Sequence, residues 1–312
     1  MKRFAVVFPG QGSQSVGMLD AWGGHPAVQQ TLDESSSVLD RDLRTLIQQG
    51  PKEQLDLTVN TQLVMLVAGL ACYRAWSAET GFVPAAMAGH SLGEYTALVA
   101  SGSLTLADAL VLVRLRSQAM QDAVPVGQGG MAAILGLDAQ MVRAGCAEAV
   151  QSCGEMVEAV NFNDPKQTVI AGTKLGVETA CATLKGMGAK RALLLSVSAP
   201  FHSTLMKPAA EALKVKLAET TFAAPSVPVV NNIDVKVESS AEAIRDALYR
   251  QAFGPVRWVE VVHALRAQGL TDVIECGPGR ALTGMVKRIE PELNAVCVFD
   301  PASLALAKEA LA

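Results

Sequence analysis

Apolar runs of strand length alternate along this sequence with segments of helical length. Phe4-Ala-Val-Val-Phe8 contains no polar residue, as expected of a strand buried on both faces. It leads into Pro9-Gly-Gln-Gly-Ser-Gln14, a flexible turn. Further strands are expected at residues 227–231, 273–276 and 296–299. Helices are expected at 60–76, with Asn60 as cap, and at 104–123, 203–220, 241–251 and 257–268. Gly277-Pro-Gly-Arg-Ala-Leu282 reads as the turn that opens another helix, its amides being also able to hold a phosphate. Pro301 starts the terminal helix. This alternation points to a mostly parallel sheet covered on both faces.

Residues 128–198 break the pattern. A strand is expected at 131–137, a helix at 138–152, and strands at 157–162 and 168–171 around the turn Asn163-Asp-Pro-Lys166. A helix at 175–187 and a strand at 191–197 follow. The order βαββαβ is that of a ferredoxin-like unit. The expected fold is therefore α/β. A large α/β-hydrolase-like subdomain (1–127 and 199–312) has a mostly parallel sheet and carries an inserted ferredoxin-like small subdomain at 128–198.

With 312 residues, half of them hydrophobic, the chain can bury a sizeable core. Aromatic residues make up only 4%, so Ala, Val and Leu must fill most of it. A formal charge of −4 and a pI of about 5.7 argue against a general nucleic-acid binder. The apolar run before Pro9 is too short for a signal-peptide core, and none approaches the ~18 residues needed to cross a bilayer. The six cysteines (72, 146, 153, 181, 276 and 297) form no CxxC pair and no metal-ligand spacing. They read as reduced thiols, mostly buried, of a cytoplasmic protein.

Residues 89–93 read Gly-His-Ser-Leu-Gly, a serine flanked at equal distance by two glycines. A nucleophilic serine works best on a sharp strand-to-helix turn. There its hydroxyl projects into a cleft, and glycines let the backbone pass close by. The run at 92–100 has helical composition, and its first amides would face negative charge developing beside Ser91. Taken alone, the pattern fits a structural turn equally well.

Ser91 needs a base, and the chain offers four histidines. His25 precedes Pro26 in a polar stretch and reads as a surface or capping residue. His263 lies inside a helix, where packing or exposure is the default. His90 adjoins the serine, so its side chain leaves the turn in another direction and suits a supporting group. His202 follows the strand expected at 191–197 and the turn Ser198-Ala-Pro-Phe201. Residues just beyond a strand's C-terminal end line the cleft of an open sheet, which makes His202 the candidate base. An α/β-hydrolase would place Asp or Glu between serine and a late histidine. No acid is singled out here, so a backbone carbonyl is expected to orient the ring, leaving a Ser–His dyad.

Further segments fall in a single order: Phe8-Pro-Gly-Gln-Gly-Ser-Gln14, Gly89-His-Ser-Leu-Gly-Glu94, Arg114-Leu-Arg116, Asn161-Phe-Asn163, Ala199-Pro-Phe-His202 and Glu275-Cys-Gly-Pro-Gly279. In these the chain resembles the malonyl-CoA:acyl-carrier-protein transacylases of fatty-acid synthesis, and more distantly the acyltransferase domains of polyketide synthases. The resemblance runs from Phe4 to about Ile289 and includes the ferredoxin-like insert.

The resemblance implies a role for each matching residue. Ser91 would be the acylated nucleophile, and His202 its general base and then the acid toward the departing thiol. The backbone amides of Gln11 and Leu92 would form the oxyanion hole, and the carbonyl of Gln251 would hold His202. Arg116 would grip the malonyl carboxylate through two parallel hydrogen bonds, which lysine cannot reproduce. From the residues alone, Arg114 and Arg116 both read as ordinary exposed arginines, off the apolar face of Leu106, Leu110 and Val113. His90, Asn161 and Phe201 would support the pocket. Leu92 and Phe201 match malonyl-selective members, the phenylalanine crowding an α-methyl by ~1–3 kcal/mol. Gly129-Gly-Met131 matches a Gly-containing loop near the pocket and is given no chemical role.

The implied reaction is a ping-pong double displacement. Ser91 takes malonyl from malonyl-CoA, and the phosphopantetheine thiol of acyl carrier protein then takes it from Ser91. No metal or redox cofactor is expected. The expected partners are malonyl-CoA and acyl carrier protein, met by a soluble monomer without nucleic acid or membrane. An acidic chain needs a local basic patch to dock an acidic carrier, and Lys190-Arg191 and Lys287-Arg288 are the candidates. Three other readings stay open: a stand-alone malonyl-selective acyltransferase of a polyketide pathway, a serine thioesterase or hydrolase, and a noncatalytic carrier-protein scaffold.

Overall fold

The computed structural model describes residues 2–197 and 199–312. Ser198, expected in the turn before His202, lies outside them. The strands are β1 (Phe4–Phe8), β2 (Ala86–Gly89), β3 (Gly129–Leu135), β4 (Val157–Asp164), β5 (Gln167–Thr173), β6 (Arg191–Leu194), β7 (Val229–Val230), β8 (Asp272–Cys276) and β9 (Asn294–Val298). They build two sheets.

The first sheet has the order β7-β2-β1-β8-β9, and every pairing in it is parallel. β1 lies at its centre, so both of its faces are covered. Phe4, Val6 and Phe8 enter the core shared with the helix Thr58–Thr80. Ala5 and Val7 enter a second core with the helices Trp258–Ala267 and Ala281–Ile289. The period of two along a strand explains why β1 has no polar residue. Each Phe or Val buried in this way contributes about 1.5–3 kcal/mol.

The second sheet has the order β4-β5-β3-β6, and every pairing is antiparallel. Helices Ala139–Cys153 and Lys174–Gly186 join its strands in the βαββαβ order. Their apolar faces meet Ile134 and Ile170 through Val142 and Leu184. Three local expectations change. Gly129 and Gly130 begin β3 instead of forming a loop. The β4–β5 turn tightens to Pro165-Lys166, because Asn163 and Asp164 stay in the strand. β6 ends at Leu194 on the sheet edge, leaving Leu193 46% and Leu194 64% exposed. This apolar run thus lies largely at the surface.

The region between β1 and β2 holds helices that the periodicity does not reveal, Pro26–Leu39, Leu43–Gln49 and Lys52–Leu55. The long helix starts at Thr58, not at an Asn60 cap. Asn60 instead joins neighbouring segments, donating to the Gln54 carbonyl at 2.6 Å and accepting from Arg41 at 2.7 Å. β7 is shorter than expected because Asn231 and Asn232 leave the ladder after Val230. All six cysteines are free. Among the described residues, no helix is long and apolar enough to cross a membrane.

Candidate active site

The Gly-His-Ser-Leu-Gly segment lies between the C-terminal end of β2 and the helix Gly93–Ala100. Ser91 adopts a φ of 53°, the left-handed conformation that side chains avoid. The flanking glycines are required by contact. A Cβ on Gly89 would lie 1.8 Å from the Gly93 carbonyl carbon, and one on Gly93 would lie 2.1 Å from the Phe8 oxygen. Asn232, just beyond β7, holds this turn from both sides. Its Oδ1 accepts from Ser91 N–H at 2.7 Å, and its Nδ2 donates to the Gly89 carbonyl at 2.7 Å.

His202 meets Ser91 there, with Nε2 2.6 Å from Oγ. Its Nδ1 faces two carbonyl oxygens, Gln251 at 3.0 Å and Gly254 at 3.1 Å. Carbonyls only accept, so Nδ1 carries the proton and Nε2 is left to accept the serine O–H. Burial pushes His202 down to about 3, with the positive charge of Arg116 adding to the effect. The ring is therefore neutral at physiological pH, as a base must be. His202 has a φ of 64° and lies between β6 and the short 3₁₀ turn Thr204–Met206. The strand before it is an edge of the antiparallel sheet, so the open-sheet rule does not account for its place beside Ser91. What brings it to Ser91 is the end of the helix Ala241–Phe253, through the Gln251 and Gly254 carbonyls.

Arg116 is only 2% exposed, whereas its neighbour Arg114 lies at the surface. The reading of Arg116 as an exposed arginine off the apolar face is thus overturned. Its guanidinium donates to Gln62 Oε1 at 2.6 Å, Ser91 Oγ at 3.1 Å and Gln251 Oε1 at 3.2 Å. The guanidinium carbon also lies 5.5 Å from the centre of the Tyr95 ring. Nε has no partner, and among the described residues no carboxylate forms an ion pair with this arginine. A buried cation held only by neutral groups is a ready receptor for an anion.

These groups open on a cavity of about 570 Å³ between the two sheets, with Gln11, Ser91 and Arg116 on one side and Met131, Asn161 and Val169 on the other. Gln11 and Leu92 line it, and among the described residues neither backbone amide has a protein acceptor. Both are free to donate to a ligand oxygen. Phe201 and Asn161 also line the cavity. His90 turns away from Ser91, its Nε2 2.8 Å from Asn163 Oδ1 and its ring beside Trp258. The residue touching His90 is thus Asn163, two positions beyond Asn161. His25 precedes the Pro26 helix and pairs with Glu79, and His263 pairs with Glu290 at the surface.

The Gly277-Pro-Gly279 segment is a turn and not an anion site. Glu275 accepts from Leu282 N–H at 3.1 Å and from Thr283 N–H and O–H at 2.7 Å. The chain's own carboxyl therefore occupies the amides that a phosphate would need. Sequence reading missed Gln62, Asn232, Gly254 and Glu94. A pair of asparagines directly after an apolar strand was the one available signal for Asn232. Gln62 is hidden in an apolar helix, and Glu94 in the first turn of a helix looks like an ordinary N-terminal acid.

The Acyl transferase domain family matches residues 5–293. Over 310 residues the chain is 53% identical to the malonyl CoA-acyl carrier protein transacylase of Escherichia coli (strain K12), covering 99% of this chain and all of that one. Its structure superposes with a TM-score of 0.96 on the acyl-carrier-protein S-malonyltransferase of Burkholderia pseudomallei 1710b, which is 60% identical, over 98% of this chain and 99% of that one. A TM-score of 0.96 also relates it to a malonyl-transacylase in complex with its type II PKS acyl-carrier protein, 51% identical over 99% of this chain and all of that one. The chain belongs to the acyl transferase domain family, among the malonyl CoA-acyl carrier protein transacylases.

Proposed function

We propose that the chain transfers malonyl from malonyl-CoA to the phosphopantetheine thiol of acyl carrier protein, supplying fatty-acid synthesis. One observation carries the reading. A serine hydroxyl lies 2.6 Å from a neutral imidazole and 3.1 Å from a buried guanidinium without a carboxylate partner. His202 takes the Ser91 proton on Nε2 as Oγ attacks the thioester carbonyl. The oxyanion is met by the amides of Leu92 and Gln11, and its collapse expels the CoA thiolate, which takes the proton from His202. The carrier thiol then repeats the sequence on the malonyl-serine ester. Arg116 holds the malonyl carboxylate, while Phe201 leaves little room for an α-methyl. Exchange between thioester and ester changes no oxidation state, so no redox cofactor is needed, and the Leu92 and Gln11 amides supply the carbonyl polarisation that a metal would otherwise give.

Docking of the acidic carrier is assigned to the exposed Lys190-Arg191 pair beside β6, whose surface leucines continue to Leu195 at the cavity wall. Of the other pair, Arg288 is already bound to Asp164 at 2.7 Å. The enzyme acts as a monomer, and in the cytoplasm, a compartment that its free and mostly buried thiols suit. A polyketide role differs only in the carrier served, and the relative solved with a type II PKS carrier supports it as the second reading. A hydrolase fits less well, since carbonyls and not a carboxylate face His202 Nδ1.

The selectivity claim is tested with Arg116→Ala. Loss of a charge-assisted buried contact of about 3 kcal/mol predicts a fall in kcat/KM for malonyl-CoA of about 100-fold. Acetyl-CoA should be affected far less. An unchanged ratio between the two thioesters would remove the clamp.

A further inference from the structure

Glu94 is a buried carboxyl that this scheme leaves unused. It lies in the first turn of the helix that follows Ser91. Its Oε2 accepts from Asn232 N–H at 2.9 Å and from Gln251 Nε2 at 3.0 Å. Gln251 in turn meets all three working groups of the site. Its main-chain carbonyl takes His202 Nδ1–H, its Nε2 also donates to the Ser91 carbonyl at 3.0 Å, and its Oε1 accepts from Arg116.

The two ends of a glutamine amide are nearly equal in shape, so the surroundings must fix which way it faces. Flipped, it would set oxygen against the Ser91 carbonyl and an NH₂ group against the guanidinium. The Ser91 carbonyl and a Glu94 oxygen held by Asn232 N–H both require the NH₂ end of the amide, so together they admit a single orientation. The spacing matters as well. Bonded directly to Arg116, a carboxylate would compete with the acyl group for the guanidinium. With the Gln251 amide between them, the carboxyl stays close while the fork has no carboxylate bonded to it.

We propose that Glu94 is a positioning residue for malonyl selection, acting through Gln251 to aim Arg116 at the cavity beside Ser91 while leaving it without a carboxylate partner. The inference rests on the malonyl-transfer reading above. The test compares Glu94→Asp, which keeps a carboxyl but withdraws the oxygen by one methylene, with Glu94→Gln, which keeps an accepting oxygen in place. Ser91 loading is measured from malonyl-CoA and from acetyl-CoA, with circular dichroism to verify the fold. Loss of one buried acceptor predicts that Glu94→Asp lowers malonyl kcat/KM roughly tenfold, through a raised KM. Acetyl loading should change less than about threefold, and Glu94→Gln should restore the malonyl preference to within about threefold of wild type. A Glu94→Asp loss shared equally by both thioesters would overturn the proposal, as would a Glu94→Gln enzyme no more selective than Glu94→Asp. Failure of the wild-type serine to load at all would overturn the transfer reading itself.

Discussion

Ser91 and His202 share a backbone conformation that side chains avoid, with φ of 53° and 64°. Such strain costs on the order of 1–3 kcal/mol per residue and persists only where neighbours over-determine it. Here Asn232 clamps one residue and the Gln251 and Gly254 carbonyls clamp the other. The chemistry needs the neutral ring that this burial enforces. The usual histidine value is ~6.5, and the shift is downward to about 3. His202 should therefore stay unprotonated as pH falls from 8 to 5, in contrast to a surface histidine. Imidazole NMR resonances across that range measure this directly, and a His202 titration near pH 6.5 would contradict it. Arg116 shows where sequence reading stops at this scale. Helical spacing placed it off the apolar stripe, because its partners Gln62 and Gln251 are distant in the chain and polar, leaving no hydrophobic signature.

Among the elements, the legible ones were those whose surroundings impose a simple pattern. β1 faces two cores and reads as unbroken apolar sequence. The βαββαβ run packs its two helices on a core of its own, and its boundaries were near those observed. The helix Pro26–Leu39 escaped because its buried face runs Val28, Thr31, Leu32, Ser35, Leu39, with two polar members. Thr31 and Ser35 bond back to the Ala27 and Thr31 carbonyls at 2.7 Å, which satisfies them inside the fold but disguises the stripe. The turn at Ser91 was legible because its glycines answer a backbone contact. Gly93→Ala should destabilise the protein by ~3 kcal/mol or more, since the clash is with the rigid Phe8 carbonyl. Gly186→Ala, in a helix with open space around the added carbon, should be neutral or slightly stabilising. Urea denaturation of the two variants checks the contrast, and equal midpoints would contradict it.

At the scale of the whole molecule, neither sheet holds the site alone. The parallel sheet and its helices bring Gln11, Ser91, Arg116 and Gln251. The antiparallel sheet supplies the facing wall, and the segment leaving it delivers His202. This division explains why the site was only partly readable. Each motif could be found locally, but the groups joining them (Asn232, Gln62 and Glu94) act across long stretches of chain. The cavity wall also includes Leu195, Ser196 and Val197, which continue from the exposed edge strand β6. Everything depends on Ser91 holding a malonyl group long enough for a thiol to remove it. Intact-protein mass spectrometry after mixing with malonyl-CoA, followed by peptide mapping, measures that intermediate. The account predicts a single malonyl adduct on the Ser91 peptide, absent in Ser91→Ala and discharged on adding the pantetheinylated carrier. An adduct on another residue, or one that survives in Ser91→Ala, would contradict it.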